Sequence, residues 1–218
     1  MTPRQRIPEP QDGIGSANRR TIDSYERIAR EYADDTVPDS SGAAEFSGEG
    51  LRHLVDAVPA GGTVLEVGSG PGWDADFVES QGVAVRRTEV TAAFIDFQAE
   101  RGKQVEKLDV TSDELGGPYD AVMALAVLQH VDRAQIPAFL RRVAAALQPG
   151  GVFLVAIRLG VGELWEVGDS GNPYFTVLWT ESAFRTLLGD AGLGVEWRFP
   201  GEDSEEGHWL MLLARKES

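Results

Sequence analysis

At 218 residues, 25% of them charged and 42% hydrophobic, the chain has the composition of one globular domain, and no apolar run approaches the roughly 20 residues of a membrane-spanning helix. It has no cysteine, which excludes disulfides, thiolate zinc sites and cysteine nucleophiles. A net charge of −15, from 35 acidic and 20 basic residues, repels phosphate backbones, so nucleic acid is not an expected partner; the basic amino terminus has no apolar stretch behind it to serve as a secretory signal, and the chain reads as cytoplasmic, with no membrane partner.

Residues 1–18 are rich in proline, glycine and polar residues without periodicity and read as a disordered leader before a single domain over 19–218. In TIDSYERIAREYA, Ile22, Tyr25, Ala29 and Tyr32 recur at three- and four-residue spacings, which predicts an amphipathic helix. A second helix carries Leu51, Leu54, Val55 and Val58 and stops before Pro59 and Gly61-Gly62, so that 19–60 form a helical cover. From Thr63 short apolar runs alternate with helical patterns, the mark of βαβ units.

Strands are expected at 63–67, 83–88, 104–109, 119–125 and 151–157, with a helix through Ile136, Leu140, Val143 and Leu147 that ends at Pro149-Gly150-Gly151. AVMAL and VFLVAI are apolar at nearly every position and belong in the centre of a parallel sheet, whereas 83–88 alternates and belongs nearer an edge. Residues 158–180 read as a long irregular segment covering the substrate, with Arg158, Tyr174 and Trp179 as candidate substrate contacts. The helix ESAFRTLLGDAG and two strands, GLGVEWRFP and HWLMLLARK, close the chain. Arg86 with Arg87 and Arg141 with Arg142 read as solvated surface charges.

The strongest chemical signal is VLEVGSGPGWD, a buried strand that runs into Gly68, Ser69, Gly70 and Gly72 and then into a helix. Glycines there allow a tight turn and let a ligand approach the backbone. Glu89, about 20 residues after the turn, falls at the end of the next strand, where a carboxylate accepts hydrogen bonds from a ribose. A nucleoside is implied, in a dinucleotide or in S-adenosylmethionine (SAM). A dinucleotide fingerprint spaces its glycines G-x-G-x-x-G, but here the spacing is G-x-G-x-G and Trp73 stands where the third glycine is needed.

On these residues the chain resembles the class I SAM-dependent methyltransferases, whose first motif reads E-x-G-x-G-x-G. The resemblance implies a doubly wound, mostly parallel seven-stranded α/β sheet with an antiparallel C-terminal hairpin. It implies SAM as cofactor, with S-adenosylhomocysteine as product and a small molecule as methyl acceptor at oxygen, nitrogen or carbon. It also implies roles for individual residues: Glu66 toward the SAM ammonium, Glu89-Val90 on the ribose, Asp109-Val110 on the adenine, and Ala124, Leu125 and Ala126 beside the methionine part. SYERIAREY resembles the helix that many such enzymes lay across the cofactor, which brings Tyr25 to the site.

His130, just past the fourth strand in LAVLQHV, is the one candidate general base, and its alternative is a packing role. Three scattered histidines give no expectation of a metal. The sulfonium is already activated, so alignment of acceptor and methyl carbon is expected to carry most of the rate, about 7–11 kcal/mol. An NAD(P)-dependent oxidoreductase and a nonenzymatic SAM-binding regulator are the alternatives.

Overall fold

The alternation of apolar runs and amphipathic helices folds into a sheet covered on both faces; the computed structural model describes residues 5–10, 16–38, 47–168, 170–201 and 208–217. Strand β1 (Gln5–Ile7) comes first, then α1 (Ala17–Asp35), α2 (Gly48–Ala57), β2 (Thr63–Val67), α3 (Trp73–Ser80), β3 (Ala84–Glu89) and α4 (Ala92–Glu100). There follow β4 (Val105–Lys107), β5 (Tyr119–Ala124), α5 (Ile136–Ala146), β6 (Leu147–Arg158), β7 (Gly162–Val167) and β8 (Pro173–Leu178). Helix α6 (Glu181–Asp190), β9 (Leu193–Pro200) and β10 (Trp209–Lys216) complete the chain. No helix among the described residues is long and apolar enough to cross a membrane.

The main sheet has seven strands in the order β4-β3-β2-β5-β6-β10-β9. Strands β2 to β6 pair in parallel and β10 runs antiparallel to both of its neighbours, as the sequence led us to expect. The continuous apolar runs of β5 and β6 lie at the centre because helices cover both faces there. On one face Leu65, Val122 and Phe153 pack with Phe139 and Leu140 of α5. On the other, Val64, Met123 and Leu154 pack with Leu51 and Leu54 of α2. Strand β2 sits between β3 and β5, so the strand order reverses at its carboxyl end, where open α/β sheets bind their ligands.

Two segments depart from the sequence expectation. Within the leader, Gln5–Ile7 pairs antiparallel with Trp165–Val167 of β7, and Ser16 caps α1 by accepting from the Arg19 N–H at 3.2 Å. Residues 1–4 and 11–15 lie outside the described residues. Positions 158–180 are largely a hairpin, β7 paired with β8, which joins β1 in a three-stranded sheet. Its glycines and polar turn hide the alternation, but Trp165, Phe175 and Val177 enter the main core, so burial selects the strands. The polar turn expected between β9 and β10 falls mostly on 202–207, outside the described residues.

Candidate active site

The loops at the carboxyl ends of β2, β3 and β5 and the inner side of α1 enclose a cavity of about 270 Å³. The turn after β2 is built on Gly68, Gly70 and Gly72, with φ of 67°, 52° and 85°. It is tied to β3 by the Ser69 N–H donating to the Thr88 carbonyl at 2.9 Å. Its own chain neighbours aside, no described residue has an atom within 4 Å of the place where a Cβ on Gly70 would stand, so the backbone there is open to a ligand.

Glu89, at the end of β3, is 5% exposed and faces this turn. Its Oε2 accepts from the Gly70 N–H at 2.7 Å, and its Oε1 accepts from the N–H groups of Val90 and Thr91, both at 2.8 Å. Burial raises its pKa, and the donations from Thr91, Gly70 and Val90 oppose the rise. Glu66, in β2, is also 5% exposed; burial pushes its carboxyl up to about 8, while the Ser69 hydroxyl, donating to Oε2 at 2.5 Å, pulls the other way. Asp74 in the first turn of α3 is raised by burial as well, opposed by the Ser47 hydroxyl at 2.6 Å. Asp109 completes the acidic wall, with Thr111 N–H and hydroxyl holding its Oδ1 at 2.8 and 2.7 Å.

Four carboxyl groups therefore line a cavity whose described wall contains no lysine or arginine. Desolvated carboxylates favour a cation and repel a pyrophosphate, so the wall fits SAM, with its ammonium and sulfonium, and is a poor fit to a dinucleotide. Trp73 adds a second point of fit. It lines the cavity, and its Nε1–H is buried without a hydrogen-bond partner among the described residues. An unsatisfied buried donor is costly, and an acceptor on a bound ligand would relieve it.

Helix α1 is fastened over this cavity at several points. The Glu26 carboxylate accepts from the N–H groups of Ala92 and Ala93 at 2.7 and 2.9 Å, capping α4. Thr21 accepts from the Phe175 N–H of β8 at 3.0 Å, and Ser24 donates to the Pro173 carbonyl at 2.7 Å. Tyr25 and Tyr32 thereby reach the cavity wall together with Phe94, their rings 5.6 to 6.0 Å apart. Opposite them His130 follows β5, its ring held between Tyr25 and the Phe175 carbonyl.

Of the residues singled out from sequence, Tyr25, Glu66, Gly68, Ser69, Gly70, Glu89, Val90, Asp109, Val110, Leu125, Ala126 and His130 meet at this cavity. Gly72 lies behind the turn and Ala124 inside the sheet, neither on the lining. Tyr174 stands one layer back, its ring 5.0 Å from that of Tyr25. Arg158 and Trp179 do not reach the cavity: buried Arg158 pairs with Glu166 of β7, and Trp179 packs on Phe184 under the guanidinium of Arg133. Sequence reasoning missed Ser47, Trp73 as a wall residue, Asp74 and Phe94; the usable signal for Asp74 was an acid in the first helical turn after the glycines.

A doubly wound α/β sheet with an acid-lined cavity at its switch point defines the class, a domain with the class I methyltransferase fold. A family profile described as a methyltransferase domain matches residues 42–196, and the chain belongs to that family. Among curated relatives, the ubiquinone biosynthesis O-methyltransferase of Caulobacter vibrioides is 31% identical over 126 residues, covering 54% of this chain and 45% of that protein. The ubiquinone biosynthesis O-methyltransferase of Paramagnetospirillum magneticum is 30% identical over 150 residues, covering 61% and 59%. The chain thus spans about half the length of these relatives. Among solved structures, the 1,6-didemethyltoxoflavin N1-methyltransferase of Burkholderia thailandensis, bound to its substrate and S-adenosylhomocysteine, superposes with a TM-score of 0.72 at 17% identity, covering 99% of this chain and 95% of that one.

Proposed function

We propose that this protein transfers the methyl group of SAM to a neutral or cationic small molecule, in the cytoplasm and without a nucleic-acid partner. The observation that carries the reading is the cavity at the glycine turn, lined by Glu66, Asp74, Glu89 and Asp109 and by no described lysine or arginine. Such a wall attracts a cationic cofactor and disfavours acceptors that bear phosphate or carboxylate. The net charge of −15 supports the exclusion of nucleic acid.

SAM, when bound, supplies an activated methyl group on a sulfonium. The chain's own residues hold the nucleoside and fix the acceptor. Glu89 and the Gly70 backbone are suited to the ribose, Asp109-Val110 to the adenine, Glu66 to the ammonium, and Leu125 and Ala126 to the methionine chain. The rings of Tyr25, Tyr32 and Phe94, inclined at 45° to 89° to one another, offer an aromatic wall for an apolar acceptor. His130 and Tyr25 stand where the proton of an acceptor hydroxyl or amine is lost, and alignment contributes the larger share of the rate. The β7–β8 hairpin supports α1 and the His130 ring and so acts on the acceptor side.

Two measurements test the reading. Calorimetry is expected to detect binding of SAM and S-adenosylhomocysteine and none of NAD or NADP; the reverse would refute it. Transfer of labelled methyl from SAM to a panel of neutral phenols and amines, but not to their carboxylated counterparts, is expected. Binding without transfer to any acceptor would favour a nonenzymatic role.

A further inference from the structure

Gln98 of α4 is fully buried, an uncommon place for a glutamine unless its amide is committed. Its Oε1 accepts from Arg87 Nη1 at 3.0 Å, and its Nε2 donates at 2.9 Å both to Ser69 Oγ and to the Gly70 carbonyl. These partners fix the orientation of the amide, because a guanidinium only donates and a carbonyl only accepts. Since Ser69 Oγ accepts from Gln98, its own proton goes to Glu66 Oε2. Every link from Arg87 through Gln98 and Ser69 then donates in one direction, toward Glu66. Such a chain polarises its members cooperatively and ends by stabilising a carboxylate.

The outer end of the chain is anchored. Arg87, 2% exposed, also donates to the Gly72 carbonyl at 3.1 Å and pairs with Asp76 and Glu79 of α3 at 2.6 and 2.8 Å. Lys103 closes on both of those acids, at 2.9 and 2.8 Å. None of Arg87, Gln98 or Lys103 lines the cavity.

We propose that Gln98 is a positioning residue that aims the Ser69 hydroxyl at Glu66 and so sets how tightly Glu66 holds the cationic end of the cofactor. The inference rests on the cofactor reading above. The charged groups that act on Glu66 are Asp74 of α3 and Glu89 of β3, which oppose its ionisation, and Arg87 of β3, which favours it; α4 contributes the neutral Gln98. Burial favours the neutral acid, and the chain's donation opposes it, lowering the pH at which the carboxylate forms.

Two variants test it. Ser69→Ala removes the terminal donor and leaves Gln98 its bond to the Gly70 carbonyl. Gln98→Glu keeps an acceptor for Arg87 but replaces the donor that faces Ser69. Two readouts are used: the carbon-13 titration of the Glu66 carboxyl in the ligand-free protein, assigned with Glu66→Gln, and the calorimetric affinity for S-adenosylhomocysteine across about pH 6 to 9. Loss of one charge-assisted hydrogen bond should move the Glu66 midpoint up by about one pH unit or more in both variants. Affinity at pH 7 should fall about tenfold, and the loss should shrink as pH rises toward about 9. An unmoved midpoint in Ser69→Ala, or an affinity loss equal at every pH, would overturn the proposal and leave Gln98 a packing role. Failure of the wild type to bind S-adenosylhomocysteine at any pH would instead sink the cofactor reading, and the ligand-free titration tells the two failures apart.

Discussion

The phenol oxygen of Tyr25 lies 3.1 Å from Nε2 of His130, while Nδ1 of the same imidazole lies 2.6 Å from the carbonyl oxygen of Phe175. The carbonyl accepts only, which assigns the proton to Nδ1 and leaves the Nε2 lone pair to receive the Tyr25 hydroxyl, beside the Gln129 amide nitrogen at 3.2 Å, which also donates to the Ala126 carbonyl at 2.6 Å. A proton released by an acceptor can thus pass to the phenol oxygen as the phenol proton moves to Nε2. Tyr25→Phe keeps the ring and removes this route. We expect kcat to fall roughly tenfold to a hundredfold, with the affinity for S-adenosylhomocysteine nearly unchanged. His130→Ala should match it, and the double mutant should be no worse than the poorer single, since both act in one relay. Full turnover in Tyr25→Phe, measured with the acceptor found by methyl-transfer screening, would leave alignment as the sole contribution.

The acidic wall makes the ligand-free protein pH-sensitive in a definite direction. Glu66 rises from an ordinary 4.5 to about 8 in the folded chain, and Asp74 and Glu89 are raised too. The folded state therefore holds more protons than the unfolded state over that window, and stability declines as pH rises from about 4.5 through about 8. Asp76 and Glu79 are lowered by their cationic partners and act with the opposite sign only at more acid pH. Glu66→Gln should flatten the decline and raise Tm at pH 8 by about 2–4 °C or more, the equivalent of about 1 kcal/mol in a domain of this size. A lower Tm at pH 8 in this variant would mean that the carboxylate is already compensated.

Glu89 has to serve two masters, the turn and the ligand. Both of its oxygens accept backbone N–H groups, from Gly70, Val90 and Thr91. Glu89→Gln replaces one oxygen by an amide that cannot accept from either side. The expected loss is at least tenfold in calorimetric affinity for S-adenosylhomocysteine, with a smaller fall in Tm, because hydrogen bonds to a charged group contribute roughly 1.5–3 kcal/mol each. Unchanged affinity would remove Glu89 from the cofactor site.

What the sequence made legible was what short-range pattern specifies. The glycine turn and Glu89 follow from a strand, a turn and a fixed spacing; the tyrosine stripe on α1 follows from helical periodicity. Arg87 was not legible: beside Arg86 it reads as a surface cation, whereas it is 2% exposed, because Asp76 and Glu79 approach it from α3. Pairwise compensation across elements leaves no local signal. Arg158 hides in the same way, its partner Glu166 lying on a hairpin whose glycines conceal its strand character. Trp179 shows the reverse ambiguity, an aromatic in a loop-like segment that packs on Phe184 in the core and not against the ligand.

The sharpest separation of stability from binding lies within the glycine turn itself, at Gly70 and Gly72. Both have positive φ, 52° and 85°, so alanine at either position costs about 1–2 kcal/mol in backbone strain. Their surroundings differ. A Cβ on Gly72 would stand 2.3 Å from Gln98 Oε1 and 2.7 Å from Arg87 Nη1, and neither group can retreat without giving up the hydrogen bonds that satisfy it in the interior. A Cβ on Gly70 would meet no atom of the described residues within 4 Å, its chain neighbours aside, and would project where the backbone is open to a ligand. Gly72→Ala should therefore lose about 1–3 kcal/mol beyond the strain, seen as a large drop in Tm, through displaced buried hydrogen bonds. Gly70→Ala should show only the smaller strain penalty, while its affinity for S-adenosylhomocysteine falls by about tenfold or more as the methyl group crowds the nucleoside. Chemical denaturation and calorimetry on the two variants decide the matter. If Gly70→Ala binds S-adenosylhomocysteine as the wild type does, the turn does not face the cofactor and the placement of the nucleoside over it is wrong.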